Sequence, residues 1–237
     1  MNIALVLAGG EDPDFQMSVP KQFVNVYNRP VIIYTLEKFQ QHKEIDAIMV
    51  ACLDGWQEMV TAYSKQFNIT KLKWVIPGGK DGQASAVNGI MKLQEECRDD
   101  DIIIVHDAIR PLVSEEVISD SIRVCRKHGM GVAAMRTMDT IMRTRDGKVG
   151  TESISRYSII RIQTPQAYRM ERLADIHAKA LKAGIMGQVD MNSVVSKLGE
   201  PVYFSKGSEL NMKINTLEDV TIFKALYKMR QENEKED

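Results

Sequence analysis

The sequence predicts an α/β fold: one three-layer domain on a mostly parallel, Rossmann-like sheet, with a protruding β-arm. Three observations predict it. Short, nearly continuous apolar runs of strand length alternate with amphipathic stretches of helical period over the first 135 residues. Those runs lack the polar–apolar alternation of a half-exposed strand, as expected of strands covered on both faces. After Thr137 the alternation of strand and helix stops and a different pattern begins.

The first strand reads at Ile3 to Leu7 and runs into Ala8-Gly9-Gly10. Further strands read at Ala47 to Leu53, Lys73 to Ile76, Ile102 to His106 and Gly131 to Arg136. Helical periods fill the gaps at Val31 to Gln41, Trp56 to Phe67, Ala84 to Cys97 and Glu115 to His128. Ser114, followed by Glu115 and Glu116, signals a helix N-terminus. Repeated β-α-β units demand right-handed crossovers and a sheet sandwiched between helices. Ligands of such sheets sit beyond the carboxyl ends of the strands. Ala8-Gly9-Gly10, Gly78-Gly79 and His106-Asp107 fall at that edge.

Residues 139–166 alternate around a turn at Asp146-Gly147 and finish in Gln163-Thr164-Pro165-Gln166, which predicts a two-stranded arm. An isolated hairpin is marginal in water, so a partner subunit is the economical surface for it to pack on. Ile154, Ile159, Ile160 and Ile162 make the apolar patch to be covered. Helices at Met170 to Ala183 and Asn192 to Leu198 follow, then strands at Val202 to Ser205 and Leu210 to Ile214. A helix from Leu217 closes the chain, with a charged tail, Gln231 to Asp237, expected to fray. No repeat or linker interrupts the pattern, so a single domain is expected over residues 1–237, with a dimerisation arm at 139–166.

With 31 basic against 32 acidic residues the chain is nearly neutral, which argues against bulk nucleic-acid binding. No apolar stretch approaches the roughly 18 residues of a membrane span, and no charged n-region precedes the first strand. Cys52, Cys97 and Cys125 are odd in number and widely spaced, reading as reduced small hydrophobes and not as a disulfide frame or zinc site. The 14 methionines are scattered and read as core filler. A cytoplasmic protein with neither nucleic-acid nor membrane partners is expected.

A buried strand, a glycine turn and the returning Pro20-Lys21-Gln22 make a phosphate-cradling arrangement, because glycines admit backbone N–H groups to an anion and Lys21 adds a point charge. Strand-Gly-Gly turns also serve packing. The loop between them carries Glu11, Asp12 and Asp14 and no arginine. Asp107, ending a buried strand, is placed to hold a magnesium ion on a polyphosphate. Equally, it reads as the cap of a turn with Arg110 as its ion-pair partner. His106 reads as structural, since no cysteine or serine nucleophile motif lies nearby. In Gly78-Gly79-Lys80-Asp81-Gly82-Gln83-Ala84-Ser85, backbone N–H groups and the Ser85 hydroxyl suit the edge of a base, although a plain glycine-rich turn is the simpler reading. Lys213 is a snorkelling surface lysine or, if its strand end points into the cleft, a second phosphate ligand.

Taken together, these segments resemble the cytidylyltransferases acting on sugar-alcohol phosphates: those using 2-C-methyl-D-erythritol 4-phosphate and those using D-ribitol 5-phosphate. The match runs in order through Ala8-Gly9-Gly10, Pro20-Lys21-Gln22, Gly78-Gly79 to Ser85, His106 to Pro111, Asp139-Thr140, Gln163 to Gln166 and Asn211 to Ile214. Each segment alone is weak; seven collinear matches are strong. The resemblance implies a nucleotidyltransferase-type sheet, CTP and a polyol phosphate as substrates, Mg²⁺ as cofactor and a homodimer through the arm. It implies that Ala8, Gly9, Gly10, Gly79 and Ser85 hold the nucleotide. Lys21, Lys213 and Asp107 would be catalytic, with Asp107 also the metal ligand. Arg110 would brace the Asp107 loop at the substrate, while Thr140 and Arg156 would reach the polyol phosphate of the neighbouring subunit.

The departures also carry information. Relatives continue the first loop with a glycine-rich stretch and an arginine, where this chain has Glu11-Asp12-Pro13-Asp14-Phe15-Gln16. A second arginine position falls at Gly82, and of the family's Thr-Asp pattern only Asp190 remains in Val189-Asp190-Met191-Asn192. A charge-assisted contact is worth about 1.5–3 kcal/mol, so weaker CTP binding or slower turnover is expected. Two readings stay open: a cytidylyltransferase with a remodelled triphosphate loop, or a catalytically weakened or inactive relative that binds a nucleotide or a partner and regulates. Ile109 after Ala108, together with Ser18 to Phe23, looks closer to the ribitol-phosphate branch.

Overall fold

The computed structural model describes residues 1–10, 15, 19–79, 82–185 and 191–236. β1 (Asn2–Ala8) is apolar on both faces, sending Ala4 and Val6 into one core and Ile3 and Leu5 into another. A small hairpin, β2 (Asn25–Val26) and β3 (Arg29–Pro30), turns at Tyr27 and Asn28, whose φ values of 47° and 60° suit a tight two-residue hairpin turn. α1 (Val31–Gln41), β4 (Ala47–Cys52), α2 (Gln57–Gln66), β5 (Leu72–Pro77), α3 (Gly82–Gln94) and β6 (Ile102–Asp107) continue the alternation. α4 (Glu115–His128) starts where the Ser114 hydroxyl accepts from the Val117 amide and stops at Gly129, which takes the left-handed conformation at φ 79°.

β7 (Met130–Arg136) leads out to a separate hairpin, β8 (Ile141–Thr144) and β9 (Gly150–Ile154), and β10 (Ile160–Arg169) leads back. α5 (Met170–Lys182), α6 (Met191–Lys197), the short β11 (Phe204–Lys206) and α7 (Leu217–Glu236) complete the chain. The main sheet has seven strands in the order β11-β7-β10-β6-β1-β4-β5. Its pairs are parallel except where β10 runs antiparallel to both β6 and β7. Side chains of α1, α2 and α4 join Ile48, Val50 and Ile104 on one face; α3, α5 and α6 join Met49, Ile103 and Tyr168 on the other. Burying each large side chain contributes about 1.5–3 kcal/mol, so this double core fixes the strand ends to which loops attach. α7 covers a third cluster, with Phe223 and Val220 packed among Tyr34, Ile109, Leu112 and Ile214. No helix among the described residues is long and apolar enough to cross a membrane.

Three sequence expectations need correction. Residues 160–166, read as part of the arm, belong to the main sheet: Ile160, Arg161 and Ile162 pair with Arg136, Met135 and Ala134 of β7, and Gln166 pairs with Val105 of β6. The projecting hairpin is therefore shorter than 139–166 and lies before Ile160. Leu210 to Ile214 is not a strand. Its alternating pattern has another origin: the buried Ile214 enters the α7 cluster, its amide donates to Ile109 O at 2.9 Å, and the Asn211 amide closes a turn onto Ser208 O at 3.1 Å. The strand expected at Val202 to Ser205 shifts to Phe204–Lys206.

Candidate active site

The carboxyl ends of β1, β4, β5 and β6 lie side by side, with Ala8 in register with Cys52, Cys52 with Pro77, and Leu7 with Asp107. Ala8 O accepts from the Leu53 amide at 3.2 Å and from the buried Gln22 side chain at 2.7 Å. Gly9 meets the loop after β5 backbone to backbone. A Cβ on Gly9 would fall 2.5 Å from Ser85 Oγ and 3.2 Å from Gly78 Cα, and one on Gly78 would fall 2.9 Å from Gly9 Cα. Only glycine permits that approach. Ser85, 1% exposed, accepts from the Gly79 amide at 2.9 Å and so holds the second loop in shape. Ala8, Gly9, Gly79 and Ser85 therefore pack together at this edge, while Gly10 is exposed, with nothing within 4 Å of its Cβ position among the described residues.

Lys21 opens a 3-10 turn, Lys21–Phe23, that is anchored on its far side. Phe23 stacks on Trp56 with ring centroids 4.1 Å apart and 9° between planes, and Gln22 is tied to Ala8. Lys21 Nζ lies 3.5 Å from Asn215 Oδ1, on the segment that carries Lys213. Turn chemistry thus brings two lysines distant in sequence to the same edge.

Asp107 stands between Arg110, Thr164 and Lys213. Its Oδ2 accepts from Arg110 Nε at 2.8 Å and lies 3.4 Å from Thr164 Oγ1; Oδ1 lies 3.4 Å from Lys213 Nζ. Thr164 Oγ1 also accepts from the Asp107 amide at 3.1 Å. Burial works against the charge, but Lys213 and Arg110 outweigh it and bring the carboxyl down to about 2. Arg110 spans two loops, because its Nη1 donates to Asn211 O at 2.8 Å. The turn-cap and metal readings of Asp107 are compatible, since a carboxylate offers about four lone-pair sites.

His106 is fully buried, stands edge-on to Phe39 at 5.1 Å, and has Nε2 3.3 Å from Arg110 O. Burial takes its pKa down to about 4, so the ring is neutral at pH 7. Facing a carbonyl, Nε2 is assigned as the donor. This is the structural histidine that the sequence implied. Among the described residues no three His, Cys, Asp or Glu side chains gather as a metal cage. Asp107 alone fits an ion such as Mg²⁺, which takes one or two carboxylates and fills its other positions with phosphate oxygens and water.

Thr140 and Arg156 stand apart from this cluster on the exposed arm, where Arg156 Nη1 donates to Met138 O at 3.0 Å. Glu11, Asp12, Asp14, Lys80, Asp81 and Asp190 lie outside the described residues. Gln22, Thr164, Gln163 and Asn211 escaped assignment by sequence reasoning. Gln22 and Thr164 sit inside Pro20-Lys21-Gln22 and Gln163-Thr164-Pro165-Gln166, whose positions beside the glycine turn and at the arm's end were the available signal.

The family model for 2-C-methyl-D-erythritol 4-phosphate cytidylyltransferase matches residues 2–229. The chain is 41% identical over 228 residues to the ribitol-5-phosphate cytidylyltransferase of Lacticaseibacillus paracasei, covering 95% of this chain and 97% of that protein. It is 31% identical over 221 residues to the 2-C-methyl-D-erythritol 4-phosphate cytidylyltransferase of Clostridium botulinum, covering 93% of this chain and 95% of that one. A crystal structure of 4-diphosphocytidyl-2C-methyl-D-erythritol synthase superposes with a TM-score of 0.78 at 25% identity, over 95% of this chain and 98% of its own. The matched span holds the glycine surface, Lys21, Asp107, Arg110 and Lys213 alike, and the chain belongs to the 2-C-methyl-D-erythritol 4-phosphate cytidylyltransferase family.

Proposed function

We propose that the protein is a CTP-dependent cytidylyltransferase that moves CMP onto a polyol phosphate, D-ribitol 5-phosphate in preference to 2-C-methyl-D-erythritol 4-phosphate. One observation carries this reading: an ionised Asp107 flanked by Arg110 and Lys213, beside a glycine surface that admits backbone N–H groups. The base and sugar lie on Ala8, Gly9, Gly79 and Ser85, and Lys21 and Lys213 face the triphosphate from its two sides. A phosphate oxygen of the acceptor attacks the α-phosphorus, the bond from that phosphorus to the bridging oxygen breaks, and pyrophosphate leaves with the electron pair. No covalent enzyme intermediate is needed. Positioning and charge neutralisation supply the rate. Asp107 would hold Mg²⁺, which neutralises phosphate charge when bound.

The acceptor phosphate is received by Thr140 and Arg156 from the arm of a second copy, so the working unit is a homodimer. Greater identity to a ribitol-5-phosphate enzyme, 41% against 31%, supports ribitol, as does Ile109 after Ala108. That acceptor suits a wall-polymer or capsule route more than isoprenoid synthesis. Cytoplasmic placement follows from CTP and from three unpaired thiols, Cys52, Cys97 and Cys125. Pyrophosphate release from CTP with each polyol phosphate is the test. Turnover with ribitol 5-phosphate at least tenfold above the alternative is expected. Release with neither acceptor overturns the enzyme reading in favour of a nucleotide-binding, regulatory relative.

A further inference from the structure

Lys213 sits on a stretch without regular structure, yet its ammonium is set 3.4 Å from Asp107. A lysine is a point charge on a flexible stem, so its placement depends on where its backbone is held. Three ties hold that backbone. Gln163 reads Ser208 in both directions, with Nε2 donating to Ser208 O at 2.9 Å and Oε1 accepting from the Ser208 amide at 3.1 Å. Gly207 allows the close fit, since a Cβ there would fall 2.8 Å from Ala134 O and 2.9 Å from Gln163 Oε1. Beyond Lys213, the Ile214 amide is fastened to Ile109 O.

The middle tie is Asn211. Its Nδ2 donates to Thr164 O at 2.7 Å and to Gln163 Oε1 at 3.3 Å, both on β10. Its own carbonyl accepts from Arg110 at 2.8 Å. Asn211 is 0% exposed, and its Oδ1 is buried with no hydrogen-bond partner among the described residues. A buried orphan acceptor costs about 1–3 kcal/mol, so an apolar side chain of similar shape would serve stability better. What the asparagine supplies instead is direction: two donors, both aimed at β10, two residues before Lys213.

We propose that Asn211 is a positioning residue for Lys213, tying the loop that bears the lysine to β10 and so setting the lysine against Asp107. This rests on the cytidylyltransferase reading of the site. Asn211→Asp keeps the shape and turns two donors into a carboxylate facing two acceptors. A misplacement of about 1 Å costs on the order of a hundredfold in rate. The expected result is a kcat lower by about that factor, with CTP KM within about threefold of wild type.

The decisive measurement is a double-mutant cycle with Lys213→Ala. Asn211→Ala closes it too, and is used if the aspartate variant does not fold. If Asn211 acts through Lys213, its replacement costs less than about threefold once the lysine is gone. Full additivity, or wild-type kcat in Asn211→Ala, overturns the proposal while leaving the enzyme reading intact. A wild-type protein that releases no pyrophosphate from CTP with either polyol phosphate overturns both.

Discussion

The candidate catalytic edge and the arm are held by different means. Asp107 is contacted by side chains from its own loop, from β10 and from the segment before α7, up to 106 residues away in sequence. The arm's bonds close within the arm: Asp146 accepts from the Lys148 and Val149 amides, Arg143 pairs with Glu152, and Arg156 reaches Met138 O. Its large apolar side chains face water, with Tyr157 82% and Met138 74% exposed. One region is preorganised by contacts distant in sequence; the other leaves large apolar side chains exposed, on which the proposed second copy would pack.

The largest effects belong to the edge. Lys21→Ala and Asp107→Ala should each lower kcat/KM for CTP-dependent transfer by roughly 10³ or more, because each removes charge stabilisation of the reacting phosphates. Lys213→Ala should fall slightly short of that. Steady-state pyrophosphate assays check all three. A Lys21→Ala protein that runs at wild-type rate removes Lys21 from the chemistry.

Arm variants should act on the acceptor and on assembly. Arg156→Ala should raise the polyol-phosphate KM by roughly 10- to 100-fold, the worth of one charge-assisted contact, and leave the CTP KM unchanged. Mixing it with Lys21→Ala sharpens the comparison. If arms cross between subunits, half the dimers are mixed and each holds one intact site, restoring about a quarter of wild-type activity when the acceptor is kept well below the KM of the Arg156→Ala protein. No restoration means that each arm serves its own chain. Tyr157→Asp should give a monomer at micromolar concentration by light scattering, with secondary structure retained. A wild-type protein already monomeric there breaks the contrast.

How much of this was legible depends on whether a residue's role is local. Ile3 to Leu7 in β1 and Ile102 to Val105 in β6 are apolar without a break, because both faces are covered, so the strand ends and Asp107 could be placed from sequence. β10 was misread because Pro165 forbids a regular ladder; the structure absorbs it in a register shift between Ile162 and Gln166, which no pattern announces. Leu210 to Ile214 alternates like a strand, but its polar residues face loop partners, Asn211 toward β10 and Lys213 toward Asp107. The arm's apolar surface was also misassigned. Ile154, Ile159, Ile160 and Ile162 are partly buried, and Met138, Met142, Val149 and Tyr157 are the exposed ones. Ile160 and Ile162 lie in β10, paired with β7 in the main sheet, and Ile154 pairs with Ile141 inside the hairpin, so contacts distant in sequence and not the local pattern decide which side chains are covered.

The smallest effect separates the two regions by acid. Asp107 and Asp146 both titrate below the ordinary value of 3.8, but for unlike reasons. At Asp107 burial raises the pKa, and Lys213 and Arg110 more than offset it, to about 2. At Asp146 the amides of Lys148 and Val149 do the lowering on an exposed turn. As pH falls, the unfolded chain takes up its proton first in both cases, so each carboxylate stabilises the fold fully above about pH 4. For Asp107 that stability, roughly 2 kcal/mol, should drain away on the descent to about pH 2. Urea unfolding of Asp107→Asn between pH 5 and 2 should therefore show a shallower loss than wild type. Asp146→Asn should change that slope far less, since solvent screens the turn. Equal flattening in the two variants would mean that Asp107 is no more tightly held than a surface turn, and the contrast between edge and arm would fall with it.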